Sequence, residues 1–153
     1  MQEKGIKVVA TNRKASHEYF LSDHLEAGIA LHGSEIKSIR AGQISLAEAY
    51  VHIENIQAWL MDAHIAPYEQ ASIFNHEPRR PRRLLLHRSE IRKLFQLIRQ
   101  KGFTVIPIRV YLKDGRAKVE IALAKGKKLY DKRESIAKRD AERDIERNFR
   151  TRR

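Results

Sequence analysis

The sequence predicts a mainly β (α+β) protein, a small antiparallel barrel of about six strands with short flanking helices. Several segments alternate apolar with polar residues, as half-buried strands do. The two clearest segments flank Asp114-Gly115, a dipeptide that favours the type I′ turn of a β-hairpin. Only one segment has convincing helical periodicity. Because closure hides the edges that long strands expose, a closed arrangement is expected.

The first third of the chain contains short elements separated by polar turns. Residues 6–10 are apolar and β-branched and predict a strand. Residues 11–16 predict a polar turn or a short helical turn, and residues 17–31 predict one or two strands with an irregular centre. Residues 33–42 lie between glycines and predict a single helical turn.

The middle of the chain predicts a hairpin followed by a loop. Residues 49–54 alternate, and Asn55 is expected to form a turn. Residues 56–66 continue as an extended run with Trp59, Met61, Ala63 and Ile65 on one side. Residues 69–83 lack periodicity and predict a long basic loop.

The last folded segments are a helix and a hairpin. Residues 89–101 predict a helix whose apolar face is Ile91, Leu94, Phe95 and Ile98, with Gly102 as its stop. The hairpin alternates on both strands: Ile106, Ile108, Val110 and Leu112, then Ala117, Val119, Ile121 and Leu123. An OB-like barrel agrees with this succession of elements.

We expect the chain to divide into a barrel (residues 1–124) and a basic tail (residues 125–153). The tail contains 12 Lys and Arg against 6 Asp and Glu, half of the net charge of +12. Its apolar residues Ala137, Ala141, Ile145 and Phe149 recur every four positions, but this narrow stripe buries too little to fold alone. We expect the tail to be disordered when free and helical when bound. The alternative is a helix packed on the barrel.

The sequence gives no support for catalysis or for a cofactor. The chain lacks Cys, and its histidines do not have the spacing of a zinc site. Neither a phosphate-binding P-loop nor a nucleophile elbow is found. We therefore expect neither enzyme activity nor a metal site. The seven histidines considered are His17, His24, His32, His52, His64, His76 and His87.

The charge favours an anionic partner. The pI is about 10.2, and three basic clusters occur, at residues 13–14, 79–83 and 125–133. Any one cluster could be a solvated face, but three of them favour nucleic acid. Since aromatic residues make up only 7% of the chain, recognition of RNA shape and backbone is expected rather than a platform of stacked rings.

Two other classes of protein remain possible at this point. A structural ribosome-associated protein would have the same composition and fold. An anionic-membrane binder is less favoured, because the tail lacks a wide apolar face. The N-terminus lacks a signal peptide and no long apolar stretch is found, so a cytoplasmic protein is expected.

Five motifs in register resemble one family. They are Asn12 to Phe20 (NRKASHEYF), Glu26 to Ile29 (EAGI), Gly33 to Gly42 (GSEIKSIRAG), Arg83 to Leu86 (RLLL) and Gly126 to Arg133 (GKKLYDKR). Together they resemble the SmpB family, the SsrA-binding proteins of bacterial trans-translation. The resemblance covers essentially the whole chain.

The resemblance implies a function and a set of partners. The family has an OB-like fold and binds the tRNA-like domain of tmRNA without catalysing a reaction. Its members deliver that RNA, with elongation factor Tu and GTP, to stalled ribosomes, where 16S rRNA surrounds the tail. We expect no membrane partner and a monomer.

The resemblance also implies the site residues. Glu26, Leu85 and Lys118 match positions linked to tmRNA binding. Neighbouring motif residues are expected near the same RNA: Asn12, Arg13, Lys14, His17, Lys37 and Arg40. Whether Arg79, Arg80, Arg82 and Arg83 touch RNA is left open.

The resemblance assigns the tail to the ribosome's decoding centre and empty message channel. Tyr130 is placed to stack on a base there, and Phe149 is expected to make the tail's hydrophobic contact. Some relatives carry Trp where this chain has Ala141, which leaves the bound register open. The tail residues assigned to the ribosome are Lys127, Lys128, Tyr130, Asp131, Lys132, Arg133 and Phe149.

Overall fold

The structure, a computed structural model, describes residues 5–68, 75–100 and 102–127. Within them the strands and helices follow in this order: β1 (Ile6–Thr11), α1 (Ala15–Glu18), β2 (Tyr19–Ile29), α2 (Gly33–Arg40), β3 (Ile44–Ser45), β4 (Tyr50–Glu54), β5 (Gln57–Met61), β6 (His64–Ile65), β7 (Arg82–Leu85), α3 (Arg88–Ile98), β8 (Phe103–Lys113) and β9 (Arg116–Gly126).

Six strands pair in a closed ring. The order is β8-β4-β5-β7-β2-β9, and β9 pairs again with β8. All of these pairings are antiparallel. Strand β1 pairs, also antiparallel, with the C-terminal half of β8. Strands β3 and β6 form a separate two-stranded sheet, which is not hydrogen-bonded to the ring. The predicted fold class, mostly antiparallel β with about six principal strands and short helices, is confirmed.

Two tight turns agree with their predictions, one made from the Asp114-Gly115 dipeptide and the other from Asn55. Asp114 and Gly115 have φ of 51° and 78°, as a type I′ turn requires at both central positions. Asn55 and Ile56 form the turn between β4 and β5 with φ of 51° and 56°. A β-branched residue at positive φ is strained by about 1–3 kcal/mol, so Ile56 is held there by the pairing on either side.

The prediction that Trp59 and Met61 share one side with Ala63 and Ile65 is wrong. Ala58 and Leu60 are fully buried in the core, whereas Trp59 and Met61 are half-buried on the other side. Asp62 then adopts φ of 57°, which interrupts the extended run between β5 and β6. The prediction failed because a strict alternation cannot be carried across that residue.

A bulge in β8 also changes which residues face the core. Pro107 pairs with Ile121 and Arg109 with Glu120, so Ile108 is an extra residue in the ladder. As a result Val105 and Val110 both enter the main core although they are five positions apart. Ile106 and Ile108 instead pack outside the ring with Ala15, Ala124, Tyr19 and Leu21. The predicted alternation of β8 therefore holds only after the bulge.

The helices differ from their predicted limits in physically informative ways. Helix α2 has eight residues rather than a single turn, because Ser38 and Ile39 find buried contacts. Helix α3 begins at Arg88 and ends at Ile98. Leu94 is buried and Leu97 and Ile98 pack on the core, but Phe95, predicted on the same face, remains 47% exposed.

A buried ion cluster joins α2 to β7 and corrects the predicted loop at residues 69–83. Arg82 begins β7 and is fully buried. Its Nε donates to Glu35 Oε2 at 2.5 Å, and its Nη1 donates to the Ala63 carbonyl at 2.7 Å. Arg80 Nε donates to the same carboxylate at 3.1 Å. Sequence alone could not reveal this, because the partner carboxylate is distant along the chain.

Glu35 is ionised in this cluster. Burial tends to raise its pKa, but hydrogen bonds from Arg80, from the His32 N–H and from Arg82, with the charge of Arg82, hold that pKa below its usual value. Burial lowers the pKa of Arg82, and Glu35 opposes that shift. The Glu35 carboxylate also caps the N-terminus of α2, because its Oε1 accepts from the His32 N–H at 2.8 Å. The cluster is therefore a structural junction between helix, loop and ring.

Candidate nucleic-acid interface

An open groove of about 690 Å³ brings together three predicted site residues. Glu26 comes from β2, Leu85 from β7 and Lys118 from β9, three strands that are adjacent in the ring. The turn between β4 and β5 and the first turn of α3 form the groove's other walls. The pairing of β2 with β7 and with β9 explains why residues so distant in sequence meet.

Gly28 sets the shape of the groove at its centre. It is the Cα partner of Leu85 on one side and of Lys118 on the other. A Cβ on Gly28 would lie 3.2 Å from Leu85 Cβ, closer than ordinary contact. The missing side chain lets Leu85 lie against the β2 backbone while 53% exposed. An apolar side chain displayed in this way offers a surface for a base or a sugar.

Glu26 is held as an oriented carboxylate. The Tyr111 hydroxyl donates a hydrogen bond to Glu26 Oε2, and Lys113 Nζ lies 3.5 Å from the same oxygen. The bond from Tyr111 is the largest effect and lowers the pKa of Glu26. Burial opposes it, and the charge and hydrogen bond of Lys113 and the charge of Lys118 lower the pKa further. Burial, then the bond to Glu26, raises the pKa of Tyr111. Glu26 is thus an acceptor at neutral pH, with Oε1 free of described partners.

Replacing Tyr111 with Phe is expected to raise the pKa of Glu26 towards its usual value of 4.5, since the largest lowering effect is removed. Because the pKa of Glu26 is depressed in the folded protein, this carboxylate adds to the free energy of unfolding above pH 4.5. That contribution is lost as the pH falls through the pKa of Glu26 in the folded protein. Tyr111→Phe should therefore lose less stability than the wild type across that interval. An NMR titration of the Glu26 carboxyl group and acid unfolding measure these shifts. An unchanged titration in Tyr111→Phe would contradict this account.

Positive charge borders the groove. The cations Arg83, Arg88 and Lys118 line it, and Glu26 and Glu90 are the acidic residues of its lining. The Glu90 carboxylate is engaged as a cap, accepting from the His87 N–H at 3.0 Å. The three cations outnumber the two carboxylates, so the lining has a small net positive charge.

The arginine cluster at 79–83 divides into separate roles. Arg83 is exposed and lines the groove. Arg79 donates to exposed Glu48 at 3.1 Å, and Arg80 and Arg82 bind buried Glu35. Only one of these four arginines is therefore offered to a ligand in the groove.

The motif around α1 lies on a second surface. Asn12 is tied to the β8 bulge, through its N–H to the Ile108 carbonyl at 2.7 Å and its Nδ2 to the Pro107 carbonyl at 3.0 Å. This places Asn12 in a supporting role. Arg13, Lys14 and His17 are exposed beside it. They line no part of the first groove.

Lys127 fixes the end of the described chain on this second surface. Its N–H donates to the Glu18 carbonyl at 2.9 Å, and its Nζ donates to the Ser16 carbonyl at 3.1 Å. The ammonium also lies 5.0 Å from the centre of the exposed Phe20 ring. Lys127 therefore holds the exit of β9 against α1.

Lys37 and Arg40 lie on α2, away from the lining of the groove. The Lys37 ammonium is 5.6 Å from the Tyr68 ring centre. Arg40 Nη2 donates to the Gly115 carbonyl at 3.4 Å, at the tip of the β8–β9 hairpin. The six remaining tail residues lie outside the described residues: Lys128, Tyr130, Asp131, Lys132, Arg133 and Phe149.

Sequence reasoning missed several residues of the groove. Tyr111 was not singled out, although its place in an alternating strand puts it on the outer face with Arg109 and Lys113. His87 and Arg88 directly follow the Leu-rich motif, and their basic character was a usable signal. Gly28 was noted only within its motif. Its role depends on Leu85, which sequence spacing does not reveal.

The described residues contain neither a metal-binding group nor a membrane-spanning helix. Across residues 5–68, 75–100 and 102–127, no group of three or more His, Asp or Glu could hold a metal ion. No helix in that part of the chain is long and apolar enough to cross a membrane.

A ring of antiparallel strands with a basic, open groove and a net charge of +12 defines a small β protein of the nucleic-acid-binding class. The family model described as SmpB protein matches residues 9–151. The chain belongs to the SmpB family.

Individual proteins show the same likeness. An SsrA-binding protein of Roseiflexus sp. (strain RS-1) is 61% identical over 147 residues, covering 95% of this chain and 93% of the relative. One from Desulforudis audaxviator (strain MP104C) is 59% identical over 141 residues, covering 92% of each. A chain from the solved structure "tmRNA-SmpB: a journey to the center of the bacterial ribosome" has a TM-score of 0.68 and 42% identity, covering 82% of this chain and 92% of that one.

Proposed function

We propose that this protein binds the tRNA-like domain of tmRNA and brings it to stalled ribosomes for trans-translation. Membership of the SmpB family supports this function. The observation that carries the proposed binding site is the meeting of Glu26, Leu85 and Lys118 in one groove. The protein acts by binding alone and needs no cofactor.

The groove has a distinct contact for each part of a nucleotide. Lys118 and Arg83 bind phosphate oxygens through charge-assisted hydrogen bonds. Leu85 packs against a base or a ribose, because its exposed side chain has no polar atom. Glu26 repels phosphate, so its carboxylate accepts from a base amino group or from a ribose 2′-hydroxyl, the group that distinguishes RNA from DNA.

Arg13, Lys14 and His17 contact tmRNA outside the groove, and the tail acts on the ribosome. Arg13, Lys14 and His17 are exposed beside the point where Lys127 fixes the end of β9. This arrangement supports a division in which the groove holds tmRNA and residues 125–153 reach 16S rRNA in the decoding centre and the empty message channel. The protein acts there as a monomer, with elongation factor Tu and GTP joined through the charged tmRNA.

Lys118→Ala is expected to weaken tmRNA binding about 10–100-fold, the usual effect of losing a hydrogen bond to a charged group. The slope of log Kd against log salt should also fall by about one phosphate contact. Gel shift and fluorescence anisotropy across a salt series measure both quantities.

Lys7→Ala is the matched control. Lys7 is exposed on β1, outside the groove, and its loss removes the same charge. An equal loss of affinity in the two variants would mean that Lys118 contributes only to the general field, and the groove would be rejected as the binding site.

A further inference from the structure

A second depression adjoins the groove across the β4–β5 turn. It has a volume of about 420 Å³ and lies between that turn and helix α3. Asn55, Ile56 and Ile91 line both concavities. A ligand that occupies the groove could therefore continue into this depression without leaving the surface.

Two apolar side chains are displayed in the depression. Phe95 is 47% exposed and Ile56 is 46% exposed. Ile56 occupies a left-handed backbone position that Asn or Gly would fill at lower cost. Phe95 stands among polar and charged residues on the outer face of α3 rather than in the helix's buried stripe. Neither side chain is accounted for by packing within the core.

The surroundings of these two side chains are cationic. The Arg99 guanidinium lies 5.8 Å from the centre of the Phe95 ring, and Arg92 also lines the depression. None of the described residues lining it is Asp or Glu. An aromatic ring combined with arginines suits a nucleotide, because the base stacks on the ring while the guanidinium groups bind its phosphates.

The size of the apolar area distinguishes RNA from a protein partner. A docked amphipathic helix needs a groove that accepts anchors over several turns. Here the outer face of α3 offers Phe95 alone among exposed Arg, Lys, Ser and Gln residues. One ring and one neighbouring Ile match the footprint of a single base.

We propose that Phe95, with Ile56, Arg92 and Arg99, forms a stacking site for an unpaired RNA nucleotide. The site binds a single-stranded segment next to the RNA held in the groove. The proposal rests on the proposed function only for the identity of that RNA. Stacking on an aromatic ring tolerates any base. The site therefore adds affinity without sequence specificity.

The test measures binding of the full chain to an unpaired oligoribonucleotide about ten nucleotides long. Phe95→Ala should weaken that binding about tenfold, and Phe95→Trp should retain it. Arg92→Glu should also weaken it, whereas Lys7→Glu, the same change of charge outside the depression, should weaken it less. Equal thermal unfolding temperatures establish that the variants are folded, and Arg92→Glu provides the test should Phe95→Ala unfold.

Lys118→Ala separates this proposal from the function proposed above. It should weaken tmRNA binding more than it weakens oligoribonucleotide binding. Unchanged oligoribonucleotide affinity in both Phe95→Ala and Arg92→Glu would overturn the stacking site, whatever the groove variant does. Equal losses in Phe95→Ala and Phe95→Trp would also overturn it, since an aromatic ring would then not be required.

Discussion

Glu35→Ala is expected to lower the free energy of unfolding by about 3–5 kcal/mol, the cost of leaving a buried charge without its partner. Arg82 is fully buried and would lose the carboxylate that binds its Nε. The N-terminus of α2 would lose its cap from the same change. Chemical unfolding followed by circular dichroism measures the loss.

Two variants make this result interpretable. Glu48→Ala breaks an exposed pair with Arg79 and should cost less than about 1 kcal/mol. The double variant Glu35→Met/Arg82→Leu removes both charges and should recover much of the loss. A Glu35→Ala protein as stable as Glu48→Ala would show that the buried cluster does not hold α2 to the ring.

The cluster also predicts a dependence on acid. The folded pKa of Glu35 is depressed, so its contribution is complete above the usual value of 4.5 and is lost as the pH falls through the folded pKa. The wild type should therefore lose stability in that interval more steeply than the double variant, which has no carboxylate to protonate.

Removal of residues 128–153 is expected to abolish tagging while leaving tmRNA affinity nearly intact at physiological salt. The cut is best placed after Lys127, because β9 continues to Gly126 and the Lys127 N–H bonds to the Glu18 carbonyl. Tagging in a reconstituted system with a message that lacks a stop codon should fall to the level seen without the protein. Anisotropy titration measures the tmRNA affinity.

Two replacements of the tail separate its charge from its pattern. A flexible Gly/Ser segment of equal length restores chain length alone. A shuffled tail restores the charge but not the four-residue spacing of Ala137, Ala141, Ile145 and Phe149. We expect neither to restore tagging. If the shuffled tail tags at the normal rate, then charge alone accounts for its action and a role for its pattern is excluded.

Local signals predicted the elements whose determinants are close in sequence. Asp114-Gly115 identified the β8–β9 hairpin because both left-handed positions are encoded within the turn itself. Helix α3 followed from its apolar spacing, except that Phe95 was placed in the core. Hydrophobicity does not distinguish a side chain that packs inward from one displayed to solvent at the edge of the same stripe.

Long-range determinants accounted for the errors. Arg82 has the composition of a loop residue and is buried only because Glu35 meets it across the fold. The bulge at Ile108 depends on pairing with β9 and on Asn12, which binds the bulged backbone. Periodicity in a single strand carries no information about either partner.

The groove was predicted through resemblance rather than through pattern. Glu26, Leu85 and Lys118 have no common spacing, and their meeting depends on the pairing of β2 with both β7 and β9. Arg83 could be found from its charge, but its separation from Arg80 and Arg82 required the structure. Tyr111, which orients Glu26, gave no local signal of that role.

Strand β9 sets a fixed distance within the molecule. A single strand, β9, separates Lys118 in the groove from Lys127, where the described chain ends beside α1. This strand is hydrogen-bonded to β2 on one side and to β8 on the other. At about 3.3 Å per residue this strand separates them by roughly 30 Å. It is therefore a rigid spacer between the groove and the start of the tail. A change in the length of β9 would move the start of the tail relative to an RNA held in the groove.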